Sequence, residues 1–182
     1  GAVVSHATHN HDLLTWIGGP LVELRALSAT RVNDVETEDC AVAIGRTADG
    51  GLVTMNVTLG AATESSRLAW HFDNVTIESS TEAYDPAKGP WTFRFRDADV
   101  EAQAEEVWAA MAPRPRLYTG QFQGFVDALG TGNKFPVNLD DARASLELVT
   151  AWYRSERSGT VETLPLPHDH PDRGSWRPEG IE

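Results

Sequence analysis

The residues best suited to chemistry lie within the first dozen positions. The chain reads Ser5-His6-Ala7-Thr8-His9-Asn10-His11-Asp12, and this octet holds three of the six histidines. Imidazole titrates near neutral pH, so a histidine that meets a substrate hydroxyl can take or give its proton. His9 is the candidate for that role, with Ser5, His6 and Asp12 as candidate substrate-binding neighbours. A metal site is a second reading, because imidazole and carboxylate are zinc ligands and Asp12 could join the histidines. A third is structural: histidines at a helix start satisfied by the backbone. Spacing bears on the choice. His9 and Asp12, three apart, share one side of a helix, while His6 and His11 point elsewhere. No H-E-x-x-H occurs, and His168 and His170 stand far off in a proline-rich tail, so no metal ligands are assigned.

Other chemistries lack their residues. No G-x-G-x-x-G or G-x-x-x-x-G-K-[ST] loop occurs, so the chain carries no phosphate cradle and no cofactor-binding residues of its own. There is no G-x-S-x-G elbow. Lys88 and Lys134 are the only lysines, and both sit in Gly/Pro-flanked turns. A net charge of -12 repels phosphate backbones and argues against nucleic-acid partners. No apolar run approaches the roughly 20 residues that span a bilayer, and no secretion signal opens the chain. Cys40 is the single cysteine, so no internal disulfide forms. It is read as buried in a strand, and a reducing cytoplasm is the expected location.

The elements that must position the octet follow from periodicity. Thr8 is an expected N-cap for a short helix to Ile17, stopped by Gly18-Gly19-Pro20. The period then becomes two. Val22, Leu24 and Ala26 share a face, as do Cys40, Val42 and Ile44, and Val53, Met55 and Val57. Leu68-Trp70-Phe72 and Val75-Ile77 flank the turn Asp73-Asn74 as a hairpin, and Trp91-Phe93-Phe95 make a further strand. Helical spacing returns at Asp99. One helix carries Val100, Ala104, Val107, Trp108 and Met111, and another carries Phe122, Phe125, Val126 and Leu129. A third is capped by Asn138 with Asp141 at N3, runs on an Ala142-Leu146-Val149-Tyr153 stripe, and ends before Gly159. Val161, Thr163 and Leu164 predict a last strand, and the tail from Pro165 reads as loosely held. The class is α+β: one domain with an open antiparallel sheet of about six or more strands and helices on one face. The polar residues Thr54, Asn56, Thr58, Arg67, His71, Thr92 and Arg94 then form the other face, which is exposed to solvent, packs on a partner subunit or borders a ligand.

The stretch from His9 to Gly19 resembles the H-x-x-D-hydrophobic-x-x-W-hydrophobic-x-G segment of the Gfo/Idh/MocA oxidoreductases. Glu38-Asp39 with Asp49-Gly50-Gly51, the run Phe122 to Leu129 with Pro136-Val137 and Asp141-Ala142, and Ala151 to Pro165 resemble its later motifs in order and spacing. The resemblance covers nearly the whole chain. It implies a C-terminal substrate-binding and dimerisation domain, residues 1–182, whose N-terminal Rossmann partner is absent from this chain. It also implies hydride transfer between a sugar or polyol and NAD or NADP in a full-length parent, a homodimer contact through the sheet face, and no activity for the isolated domain. In the family's D-x-x-x-H element the histidine passes the hydroxyl proton, and His9 matches it. Ser5 falls where the family often has Asp, which puts a full charge relay in doubt. Two other function classes remain open: a non-catalytic binding or oligomerisation module, and a metal-dependent hydrolase using the histidine cluster.

Overall fold

The computed structural model describes residues 1–115 and 117–176. A π-helical turn, Val3–Ala7, runs directly into α1 (Thr8–Gly18). Three strands follow, β1 (Leu21–Ala29), β2 (Cys40–Thr47) and β3 (Leu52–Thr58), then a hairpin and its neighbour, β4 (Ala69–His71), β5 (Val75–Glu78) and β6 (Thr92–Phe95). Helices α2 (Ala98–Ala110), α3 (Leu117–Thr131) and α4 (Leu139–Ser158) precede the short strand β7 (Glu162–Thr163). The α+β class and the antiparallel pairing hold, but the strands divide between two sheets. One is ordered β3-β2-β1-β7 and the other β4-β5-β6. The polar face expected from sequence is therefore split. Thr54, Asn56 and Thr58 belong to the first sheet. Arg67 and Arg94 flank the second, where both bind Glu78.

The core lies between the four-stranded sheet and α4. Ala41, Ala43, Leu24, Ala26 and Met55 point inward and meet Leu148, Val149, Ala151 and Trp152. Trp152 is fully buried, and a tryptophan so placed stabilises by roughly 3–5 kcal/mol relative to alanine. The small residues of β2 make room for it. This reverses the expected facing of that strand: Val42 and Ile44 are exposed, and Cys40 is half-buried with its Sγ 3.2 Å from Thr58 Oγ1. Alternation identified the strand but not which of its two faces met the helix, and the bulk of Trp152 selects the alanine face.

The inward stripe of α4 is likewise turned from the expected one. Leu146 is exposed, while Leu148, Ala151, Trp152 and Ser155 are buried. Ser155 fixes this rotation. Its Oγ accepts from Ala26 N at 3.0 Å and donates to Thr160 O, and its carbonyl accepts from Arg25 Nη1 at 2.8 Å. The ends of α4 match expectation. Asn138 and Asp141 form a reciprocal capping box, and Gly159 closes the helix at φ 70°. The other two helices cover less than their apolar spacing implies. α2 touches the second sheet through Trp108, which packs edge-on against Phe93 at 4.9 Å, and α3 leaves Phe122, Val126 and Leu129 exposed. The tail is held rather than loose as far as it is described. Leu166 is buried, Arg173 reaches Glu147, and Trp176 donates to Thr150 Oγ1 at 2.8 Å.

Two adjacent acids before β2 tie this framework together. Glu38 Oε1 accepts from Val3 N at 3.0 Å and from the Tyr153 hydroxyl at 2.9 Å, and its carbonyl accepts from Ala2 N at 2.9 Å. Burial, and the carboxylate it donates to, hold the Tyr153 phenol above its ordinary pKa. Asp39 is buried and accepts from the amides of Arg31 (2.8 Å), Val32 (2.8 Å) and Asn33 (2.7 Å), and from Asn33 Nδ2 (3.1 Å). These donors favour the ionised form and hold its carboxyl well below the ordinary 3.8.

A depressed carboxyl pKa stabilises the fold fully above the unfolded value and loses that contribution as pH falls below it. We expect wild-type stability to drop as pH is lowered through about 4. Asp39→Asn should lower the urea midpoint at neutral pH and flatten this acid limb, because an amide presents a donor where four donors already converge. Equal midpoints for the two proteins at pH 7 would contradict the assignment.

Candidate functional site

The first turn of the chain sets the geometry of the octet. In the π-helical turn the Thr8 amide bonds to Val3 O, five residues back. Thr8 is thus not an N-cap. Its Oγ1 instead donates to Val3 O and Val4 O, at 3.0 and 2.8 Å, satisfying carbonyls that the wider turn releases. Single π turns recur at functional sites, where they re-aim side chains. Here the extra residue brings Ser5, His6 and His9 to one cavity.

That cavity, about 570 Å³, lies between the first helix, the edge strand β3 and the segment 59–66. Its lining is rich in hydroxyl and amide groups: Asn10, Asn56, Thr58, Thr63, Ser65 and Ser66. Glu64 adds one carboxylate, and Tyr84 stands beside His6, their ring centroids 5.8 Å apart. The segment 59–66 starts from a fixed place. Leu59 N donates to Asp39 O at 2.8 Å, and Gly60 lies so close to Val32 that a Cβ there would come within 2.3 Å of Val32 Cγ2. The same Asp39 that gathers the loop 31–33 therefore also positions the cavity wall.

The predicted site residues separate into two groups. Ser5 and His6 form a pair. Ser5 Oγ donates to Gly1 O at 2.8 Å and lies 2.7 Å from His6 Nδ1. With its one proton committed to Gly1, the hydroxyl accepts from Nδ1–H, which leaves Nε2 of a neutral His6 ring as an acceptor. His9 is exposed to the cavity, and its ring makes no hydrogen bond among the described residues. Asp12 is placed elsewhere. It accepts from Ser145 Oγ of α4 at 2.7 Å and borders a second, mostly apolar cavity that includes Trp16 and Pro136. Its contact is with the helix that backs the sheet.

His11, which sequence reading left aside, is 5% exposed and stacks on Trp152 with centroids 5.1 Å apart. Burial pulls its pKa down to about 4, because the charged ring would lose its hydration. It is a neutral aromatic of the core at physiological pH. The histidine cluster is thus dispersed, and among the described residues no three of His, Cys, Asp or Glu converge as metal ligands. No helix among them is long and apolar enough to cross a membrane. Sequence reading missed Tyr84, Thr63 and Glu64. They come from irregular segments, where no periodicity marks a facing.

A comparison with curated proteins gives no match. The model of the GFO/IDH/MocA C-terminal domain matches residues 1–78. Among solved structures, the WlbA dehydrogenase of Bordetella pertussis, in complex with NADH and UDP-GlcNAcA, superposes with a TM-score of 0.71 at 23% identity, over 92% of this chain and 46% of that one. The aldose-aldose oxidoreductase of Caulobacter crescentus gives 0.67 at 19% identity, over 90% and 48%. A levoglucosan dehydrogenase bound to NADH and levoglucosan gives 0.62 at 16%, over 92% and 51%. The chain thus spans about half the length of these oxidoreductases. Residues 1–78 are thus similar to the GFO/IDH/MocA C-terminal domain, and the chain shares its fold with part of each of these oxidoreductases.

Proposed function

We propose that this chain is the substrate-binding part of an NAD(P)-dependent oxidoreductase acting on a sugar or polyol, with His9 as its proton-transfer residue. The observation that carries the reading is one imidazole, unbonded among the described residues, facing a cavity lined by hydroxyls and amides. A cavity of this lining exchanges hydrogen bonds with a polyhydroxylated molecule. A carbinol that gives up hydride must also lose its hydroxyl proton, and His9 can accept it. Ser5 and His6 bind the substrate as a pair, His6 through its acceptor Nε2. Asp12 serves the site indirectly by fixing α1 on α4.

The residues of this chain do not fit the dinucleotide. Two of its helices begin with carboxylates, Asp97, Asp99 and Glu101 on α2 and Asp140 and Asp141 on α4, which oppose a pyrophosphate where a Rossmann helix would attract it. NAD or NADP, the hydride partner, is therefore assigned to a nucleotide-binding part outside this chain. That fits a chain spanning half of its structural relatives, which are NADH-bound in two of the cases above. The single Cys40, with no disulfide partner, accords with a cytoplasmic setting.

Pairing of two copies is part of the same reading. The outer face of the four-stranded sheet exposes Leu27, Val42, Ile44 and Leu52 beside Thr54 and Asn56. Such a patch marks an interaction surface, and a flat sheet face suits a two-fold contact.

Two measurements test these statements. In the full-length parent, His9→Ala should lower turnover by roughly 10²-fold while leaving nucleotide affinity nearly unchanged. Near wild-type turnover on the true substrate would remove His9 from the reaction. Sedimentation of this chain at micromolar concentration should give twice the monomer mass, and Ile44→Glu should dissociate the pair. A wild-type monomer, or a dimer that survives the glutamate, would contradict pairing through this face.

A further inference from the structure

We propose that Tyr84 selects the shape of the substrate: with His6 it forms an aromatic wall that receives the C–H face of a cyclic sugar, so the cavity favours a ring over an open-chain polyol. The proposal rests on reading the cavity as a sugar site and narrows the substrate class of that site.

The first observation is conformational. Tyr84 has φ 62°, in the left-handed region that a residue bearing a Cβ enters at a cost and glycine enters freely. The loop around it is anchored. Tyr84 N donates to Ser66 Oγ at 3.2 Å, Ser80 Oγ and Trp91 Nε1 both donate to Pro86 O at 2.9 Å, and Lys88 pairs with Glu82 at 2.8 Å. The structure thus holds a tyrosine in a conformation that disfavours it.

The second observation is that the chain gains little from the ring. Tyr84 is 67% exposed, so it buries little apolar surface, and its hydroxyl makes no hydrogen bond among the described residues. Its one ring neighbour among the described residues is His6, tilted at 53°. His6 is itself held by Ser5, so two aromatic faces of fixed position border the same cavity. Strained backbone persists where the surroundings enforce it, and an observed outlier at a cavity rim is a reason to look for a ligand role.

The chemistry of the lining identifies the ligand class. Asn10, Asn56, Thr58, Thr63 and Glu64, which also line the cavity, offer hydrogen bonds to hydroxyls. An aromatic face offers the opposite: a flat apolar surface with negative charge at its centre, which attracts polarised C–H groups. A pyranose ring presents both features at once, C–H bonds on its faces and hydroxyls around its rim. An open-chain polyol matches the hydroxyl-binding groups but keeps no persistent C–H face.

Saturation-transfer difference NMR on this chain, with methyl β-D-glucopyranoside and sorbitol as probes, tests the assignment. The ring C–H protons of the glucoside should take up saturation from the wild type. Tyr84→Phe should bind it as the wild type does, whereas Tyr84→Ala and Tyr84→Gly should bind it roughly fivefold more weakly or worse. Sorbitol should bind more weakly than the glucoside and be indifferent to all three changes. Tyr84→Gly should melt at or above the wild-type temperature, since glycine relieves the backbone, and this separates lost binding from lost folding. Equal glucoside binding by the wild type and Tyr84→Gly would overturn the proposal, as would loss of binding in Tyr84→Phe or sorbitol bound as tightly as the glucoside; each leaves the sugar-site reading standing. If neither probe binds the wild type, the sugar-site reading fails and takes this proposal with it.

Discussion

The dipeptide Glu38-Asp39 is the constraint from which the rest of the site follows. Its two carboxylates point to different segments and satisfy backbone amides that nothing else reaches. Glu38 takes the amide of Val3 and the hydroxyl of Tyr153, so the first turn of the chain is fastened to β2 and α4 together. Asp39 collects three successive amides of the loop before it, and its carbonyl takes Leu59 N. Asp39 is buried, and a buried carboxylate is tolerable only when it is hydrogen-bonded. The donors must therefore stay in place, and with them the segments that carry His9 on one side of the cavity and residues 59–66 on the other.

This dependence explains a division of labour among the residues of the opening octet. The π turn is too short to hold itself, with Val3 and Ala7 buried and the remaining positions turned outward. Fixed at both ends, by Glu38 and by the Thr8 hydroxyl, it presents Ser5 and His6 to the cavity. One turn later α1 presents His9 to the same space, while the buried His11 stacks on Trp152 and the exposed Asp12 bonds Ser145, securing α1 against α4. Chemistry and anchoring thus alternate along one continuous helical segment: His6 and His9 line the cavity, and His11 and Asp12 hold α1 in place.

Much of this was legible in the sequence. The α4 capping box and its αL glycine declare themselves locally, because their bonds join residues three or four apart. β3 reads cleanly because its polar and apolar residues alternate. What was not legible depended on a partner distant in sequence. Val42 and Ile44 alternate as a core face should, yet they point outward, since Trp152, more than a hundred residues later, needs the alanine side. Asp12 carries the appearance of a site residue until Ser145 is found beside it. Thr8 has the type of an N-cap, but the helix had already begun. Tyr84 lay in a proline- and glycine-rich excursion where pattern says nothing about facing. His9 was legible through its imidazole chemistry and its family-like spacing, and the fold supplies what these could not: a cavity, and no competing bond to its ring among the described residues.

The central claim is that His6 and His9 share one ligand-facing cavity in this chain, and the histidine rings report on it directly. Correlation of ring protons with ring nitrogens by NMR, with and without methyl β-D-glucopyranoside, separates the six imidazoles. The account predicts that the signals of His6 and His9 shift together as the sugar is added, while those of His71 and His168 stay fixed. Shifts at His71 or His168 with His6 and His9 unmoved would contradict it.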